Sequence, residues 1–184
     1  MAGPEIVGRR VLCRGRRMVF GQIIARIGGR EVAFDALLHG GAVVVLPVNE
    51  KGELLLEKQF RPVVGEWLIE APAGTMEEGE EPEETARREL IEETGYEPGE
   101  LVYMTTIYPS PGTSTEHIHI YLARSLRFVG ARPEHDELIE TMWVPLPKAL
   151  EMIRSGEIKD AKTIIAITFY KLFHTDAANK PLHG

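Results

Sequence analysis

The chain has 184 residues, 43% of them hydrophobic, with 21 basic and 28 acidic side chains and a net charge of −7. That much apolar material can fill one generous core, and the negative balance argues against nonspecific attraction to nucleic acid as the main activity. Cys13 is the only cysteine, the amino terminus lacks the apolar stretch of a signal peptide, and nowhere do eighteen apolar residues run together. These features exclude an intrachain disulfide and a thiolate metal cluster, and they point to a cytoplasmic protein without a membrane anchor.

In chain order, residues 6–38 show short β-rich runs, VLCRG, MVFGQIIARI and EVAFDALL, separated by Arg-Gly and Gly-Gly turn signals. They predict a small antiparallel sheet. His39-Gly40-Gly41 breaks the pattern and places a boundary near residue 40, giving an N-terminal β domain over 1–40 and a larger domain over 41–184. AVVVLPV (42–48) is apolar enough for the interior of a sheet, and ELLLEKQF (53–60) reads as the strand returning from the turn at 49–52. EWLIEAPA then leads through an extended piece into Gly74.

Pro82 suits a first helical turn and Gly95 the residue just past a helix end, so a helix is predicted over 82–94. Strands follow around 101–108 and 117–123 and within ELIETMWVPL, then helices around 146–154 and 160–173, and a loose tail. Strands, helix, strands, helices is the order of an α/β protein of mixed α+β type, a mixed sheet with helices on both faces, preceded by a β extension.

Charge is unevenly spread along this plan. Residues 1–30 carry seven arginines against the single Glu5, whereas residues 66–100 carry thirteen glutamates against Arg87 and Arg88. Like charges three or four apart on a helix repel by roughly 0.2–0.5 kcal/mol per pair. Glu89, Glu92 and Glu93 share one side of the helix 82–94, where they form a compact anionic patch. A solvated acidic face is one reading of it. The other is a site for a divalent cation, since hard carboxylate oxygens are what Mg²⁺ or Mn²⁺ prefers and coordination converts the repulsion into binding energy.

The segment Gly74–Tyr96 resembles the Nudix box, G-x5-E-x7-R-E-U-x-E-E-x-G-U with U a bulky aliphatic residue. Gly74, Glu80, Arg88, Glu89, Leu90, Glu92, Glu93 and Gly95 all fall in place, and only Tyr96 departs, standing where an aliphatic residue is usual. The resemblance implies a Nudix-type α/β/α sandwich and metal-assisted hydrolysis of a nucleoside diphosphate linked to another group. It makes Glu89 and Glu93 the principal metal ligands together with the backbone carbonyl of Ala73, and gives Glu92 a further ion or a bond through water. Mg²⁺ is the implied cofactor, with Mn²⁺ or another divalent cation able to substitute. Arg88 becomes the partner that orients a box carboxylate, while Glu80 is either a part of the site or a solvated loop charge. Glu77, Glu78, Glu81, Glu83 and Glu84 fall at variable positions and suit a helix N-terminus.

The flanks narrow the substrate. Pro111 stands sixteen residues beyond Gly95 within SPGTSTE, which is similar to the mark of the ADP-ribose pyrophosphatase subfamily and brings Pro111 and Gly112 into the expected substrate site. Upstream, KQFRPVVGEWLIEAPAG looks like the same subfamily's approach to the box. Arg61 would reach the diphosphate or the terminal ribose, because a guanidinium fork suits phosphate oxygens and hydroxyls. Glu70 would accept from the adenine amino group or a ribose hydroxyl, and Trp67 reads as a core residue rather than a base-stacking one. In this subfamily a loop glutamate after the later strands serves as catalytic base. Here Glu134, Asp136, Glu137 and Glu140 qualify, with Glu137 the first choice and Glu140 the second. His117, His119 and His135 are alternatives as bases, although two histidines alternating on one strand more often bond structurally.

The resemblance also implies a homodimer that exchanges its amino-terminal β segment. The arginines there either face the partner's acidic region and the substrate phosphates or protect exposed strand edges. The expected reaction is hydrolysis of ADP-ribose to AMP and ribose 5-phosphate, on a small-molecule nucleoside diphosphate substrate, with no nucleic acid or membrane partner. The alternatives are another nucleoside diphosphate sugar or a dinucleotide, a noncatalytic nucleotide-binding module, and nucleic-acid binding by the arginine-rich first 30 residues.

Overall fold

The computed structural model describes residues 3–131 and 138–175. Two compact units emerge, one from the first 41 residues with 108–117, the other from 42–107 with the chain from 118 onward. The first is an antiparallel meander of β1 (Glu5–Arg14), β2 (Val19–Ile27) and β3 (Arg30–Leu38). Strand alternation gives it two unlike faces. Ile23, Ala25 and Ile27 pair across with Phe34, Val32 and Arg30 on one side. On the other, Arg10 donates to Gln22, Gln22 to Asp35, and Arg26 to both Glu5 and Glu31.

The second unit holds β4 (Ala42–Pro47), β5 (Glu53–Arg61), β6 (Glu66–Glu70), β7 (Ala73–Thr75), α1 (Pro82–Thr94), β8 (Tyr96–Ile107), β9 (Ile118–Phe128), β10 (Ile139–Pro145), α2 (Leu146–Ser155) and α3 (Ala161–Phe173). Its strands form two sheets, a mixed one in the order β7-β4-β9-β8 and an antiparallel one in the order β10-β5-β6. β4 runs parallel to β9, and the remaining pairs are antiparallel.

Val43, Val44, Val45 and Leu46 are fully buried because both faces of β4 are covered. Val43 and Val45 join Ala86 and Leu90 of α1 with Tyr121 and Ala123. Val44 and Leu46 look the other way, into a core with Leu54 and Leu56 of β5, Ile120 and Leu122 of β9, Ala149 and Met152 of α2, and Ala166 and Ile167 of α3. Each such aliphatic side chain contributes roughly 1.5–3 kcal/mol when fully removed from water. The nearly continuous apolar run of β4 is thus a strand sandwiched between layers, and α1 is fixed to it by Ala86 and Leu90.

One expectation is corrected. β5 does not return along β4 as its hairpin partner; a single bridge joins Val48, just past β4, to Leu54, and β5 instead becomes the centre of the second sheet. Both edges of β4 are already taken by β7 and β9. The turn between the strands is shaped by Asn49, whose side-chain oxygen accepts from the backbone of Lys51 and Glu53. Among the described residues no helix is long and apolar enough to cross a membrane.

Candidate active site

The site is built where α1 lies against β7. Pro82 opens the helix without wasting an N–H, and the Glu84 carboxylate accepts from the Glu81 N–H one turn earlier. Gly95 closes it at φ 76°, donating to the Ile91 carbonyl. A side chain there would be strained, and its Cβ would also collide with the backbone of Gly130 and Ala131. With both ends set, Glu89 and Glu93, one turn apart, point at β7. Glu93 is buried and its Oε2 accepts from the Ala73 N–H at 3.0 Å. The carboxylate of Glu89 occupies the space over Gly74, where a Cβ would overlap it. Glycine at 74 is therefore required by close approach of a charged group to the strand.

Arg88 occupies the centre of the remaining acids. Its Nε and Nη2 donate to the two Glu80 oxygens at 2.9 Å each, and its Nη1 donates to Glu89 Oε1 at 2.8 Å and Glu92 Oε2 at 3.2 Å. Glu80 also accepts from the Glu77 N–H. The Arg88 fork holds the Glu80 carboxyl down to about 2 from 4.5, and Glu80, then Glu89, raise Arg88 further above the ordinary guanidinium range. Glu80 is thereby placed as the anchor of Arg88.

Among the described residues no three His, Cys, Asp or Glu side chains stand together as a ready-made cation cage. Glu89 and Glu92 are turned onto Arg88, and Glu93 onto a backbone amide. The donor set nevertheless fits a hard divalent cation: carboxylate oxygens from two successive helical turns, set over a glycine whose missing Cβ leaves them room.

A second constellation gathers on β5 and β6. Arg61 makes a two-pronged bond to Glu70, Nε to Oε1 and Nη2 to Oε2, both at 2.8 Å. Lys162 of α3 bonds the same Glu70 Oε2, and its Nζ lies 2.9 Å from Asp160 Oδ1. Burial pushes the Glu70 carboxyl up, but Arg61 and Lys162 together outweigh it and hold the group below the ordinary carboxylate range. Arg61 is raised chiefly by its bond to Glu70, with Glu57 and Glu93 adding to the field, so this cluster adjoins the acids of α1. Glu57 is opposite Glu70 in the β5–β6 register and fully buried.

The structure thus brings Ala73, Glu89, Glu93, Arg88 and Glu92 together, and sets Arg61 and Glu70 upon each other. Glu70 was expected to meet the adenine or a ribose hydroxyl directly; both its oxygens are instead engaged by Arg61 and Lys162. Glu140 is not brought to the site. Its register partner is Lys58, so alternation puts it on the face of β5 and β10 opposite Glu57 and Arg61, and it is exposed. Glu134, His135, Asp136 and Glu137 lie outside the described residues. Pro111 and Gly112 sit in an exposed turn of the first unit, where Ser110 O accepts from Thr113 and Ser114. Trp67 is not a core residue: it is 45% exposed, 5.6 Å from the Phe60 ring and capped by Lys58. His119 bonds Thr106, which bonds Tyr103, a chain of structural hydrogen bonds.

Sequence reasoning missed Glu57, Asp160 and Lys162. Polar residues alternating at 57, 59 and 61, directly after the apolar run 54–56, were a usable signal for the first. Asp160 and Lys162 had none, since α3 brings Lys162 to Glu70 across 92 positions of chain.

Residues 38–166 match the NUDIX domain. The chain belongs to the Nudix family. It is 42% identical over 154 residues to an ADP-ribose pyrophosphatase of Bacillus subtilis (strain 168), a match spanning 83% of each chain. It is 36% identical to a methanol dehydrogenase activator of Bacillus methanolicus, over 78% of this chain and 79% of that one. A GDP-mannose pyrophosphatase of Salmonella paratyphi B is 40% identical over 73% of this chain and 74% of its own. Among solved structures, an ADP compounds hydrolase superposes with a TM-score of 0.80 over 94% of this chain and 95% of that one, at 18% identity, which establishes a shared fold. Nudix hydrolases use divalent cations, in keeping with the donor set on α1.

Proposed function

We propose that this Nudix hydrolase splits the diphosphate of ADP-ribose with water, releasing AMP and ribose 5-phosphate, with Mg²⁺ as its ordinary cation. The observation that carries the reading is the acidic face of α1 seated over Gly74 with Glu89, Glu92 and Glu93 all retained, beside the arginine of β5. A noncatalytic module would have no use for that set. The 42% identical relative named for ADP-ribose supports the choice of substrate.

In this reading Glu89 and Glu93, with the carbonyl of Ala73, hold the principal cation, and Glu92 a further one. When bound, the cation neutralises the diphosphate, stabilises charge on the leaving oxygen and lowers the pKa of the attacking water. The protein's own groups do the rest. Arg88 fixes the rotamers of Glu89 and Glu92. The Arg61 guanidinium orients the diphosphate. Glu137 accepts the proton of the attacking water as phosphorus gains one oxygen and loses the bridging one. Glu70 serves through Arg61.

The amphipathic sheet of the first unit supports a homodimer: Ile27, Val32 and Phe34 are exposed on its apolar face, where a second copy would cover them. We place the protein in the cytoplasm. A GDP-mannose activity is the second reading, favoured by the 40% identical relatives named for it.

Chromatography after incubation with ADP-ribose and Mg²⁺ tests the proposal. AMP and ribose 5-phosphate are expected, with GDP-mannose, ADP-glucose and NADH consumed more slowly in competition. Absence of both products while another nucleotide is consumed would overturn it. Glu93→Gln is expected to abolish turnover with the thermal transition nearly unmoved.

A further inference from the structure

Glu70 receives two cations although it carries one negative charge, and it is 1% exposed. The two cations are held differently. Lys162 is braced from α3: its Nζ is 2.9 Å from Asp160, and Asp160 is itself fixed as the cap of α3 by the N–H and hydroxyl of Thr163 at 2.9 and 2.6 Å. The Thr163 hydroxyl oxygen accepts in turn from the Ala71 N–H at 2.8 Å, one residue beyond Glu70. Lys162 and Glu70 are thus tied into one bracket between α3 and β6. Among the described residues the Arg61 side chain is anchored through Glu70 alone, it is 36% exposed against 17% for Lys162, and it feels the acids Glu57 and Glu93. Of the two, Arg61 is the cation that can turn away. A carboxylate as buried as Glu70 could not then be left alone, because an uncompensated buried charge carries a heavy penalty.

We propose that Lys162 is a positioning residue that keeps Glu70 paired while Arg61 turns its guanidinium to the diphosphate of the substrate. Lys162 sets substrate affinity without touching substrate. The inference rests on the reading of the site as one for a nucleoside diphosphate, but not on which sugar the diphosphate carries.

The test compares Lys162→Met in the wild-type and Glu70→Gln backgrounds. Dissociation constants for ADP-ribose and for inorganic pyrophosphate are measured by calorimetry without added metal, and KM and kcat with Mg²⁺. In the wild-type background Lys162→Met should raise Kd and KM roughly tenfold or more, the consequence of stranding a buried carboxylate, with kcat within about twofold. Lys162→Arg should restore most of the loss. In the Glu70→Gln background the neutral amide needs no counter-charge, so adding Lys162→Met should change Kd by less than about twofold. An equal rise in both backgrounds means that Lys162 meets the substrate itself and overturns the proposal. So does an unchanged KM, a fall in kcat alone, or a wild-type protein that binds neither ligand. If Lys162→Met melts early, Lys162→Gln carries the same comparison. Failure of wild-type turnover on ADP-ribose would count against the proposed substrate alone, since the pyrophosphate arm still reports the coupling.

Discussion

Glu80 and Gly74 show how single residues set this site without performing chemistry. The Glu80 carboxyl is drawn down to about 2 from 4.5 by Arg88. Because the folded state lowers this pKa, the stabilisation is complete above 4.5 and is lost as pH falls through about 2. Glu80→Gln should cost about 1–2 kcal/mol near neutral pH, the scale of a charge-assisted pair. Urea unfolding of the two proteins should show that difference shrinking as pH drops below 4.5. Gly74→Ala acts differently, since its methyl group must displace the Glu89 carboxylate. We expect kcat/KM to fall by something on the order of a hundredfold, as for misplacement of a reacting group by an ångström. Circular dichroism should remain that of a folded protein. At this scale the sequence was partly legible. The spacing of Glu89 and Glu93 declared a common face, and Gly74 a fixed position, but the pairing of Glu70 with both Arg61 and Lys162 is a tertiary fact that no local spacing encodes.

At the scale of the element, α1 was readable because its limits are chemical: proline at one end, a left-handed glycine at the other. Gly95→Ala tests the second limit. It imposes a strained φ and a collision with the backbone at 130 and 131, and should destabilise the protein by more than about 1 kcal/mol in a thermal or urea melt. Tyr96, the departure from the family pattern, meets Phe128 and Trp143 edge-on, with ring centroids 5.2 and 5.6 Å away. An aromatic residue there is matched by aromatic neighbours. β4 and β5 were both recognisable as strands, yet their pairing was not, because the choice between a hairpin and separate sheets depends on which edges β7 and β9 already occupy. The same limit applied to Glu140, whose side of the sheet is fixed by its register with Lys58.

For the whole molecule, the two electrical halves read from the sequence have different fates. Arg10 and Arg26 belong to a polar ladder within the N-terminal sheet, while the other face of that sheet exposes Phe34 and Val32. Sedimentation should return about twice the 20.6 kDa mass of the chain, and Phe34→Asp should move it toward one copy. A monomer at all concentrations would exclude the homodimer.

The grip of Arg88 on Glu80, Glu89 and Glu92 has one more consequence. A cluster of acids that had to wait for a cation before its charges were balanced would make folding hostage to the supply of that cation. Here an internal cation stands in from the start, so assembly of the protein and arming of the enzyme are separate events. A chelator should therefore silence turnover while leaving the thermal transition almost where it was, and returning the cation should revive the enzyme with no refolding step.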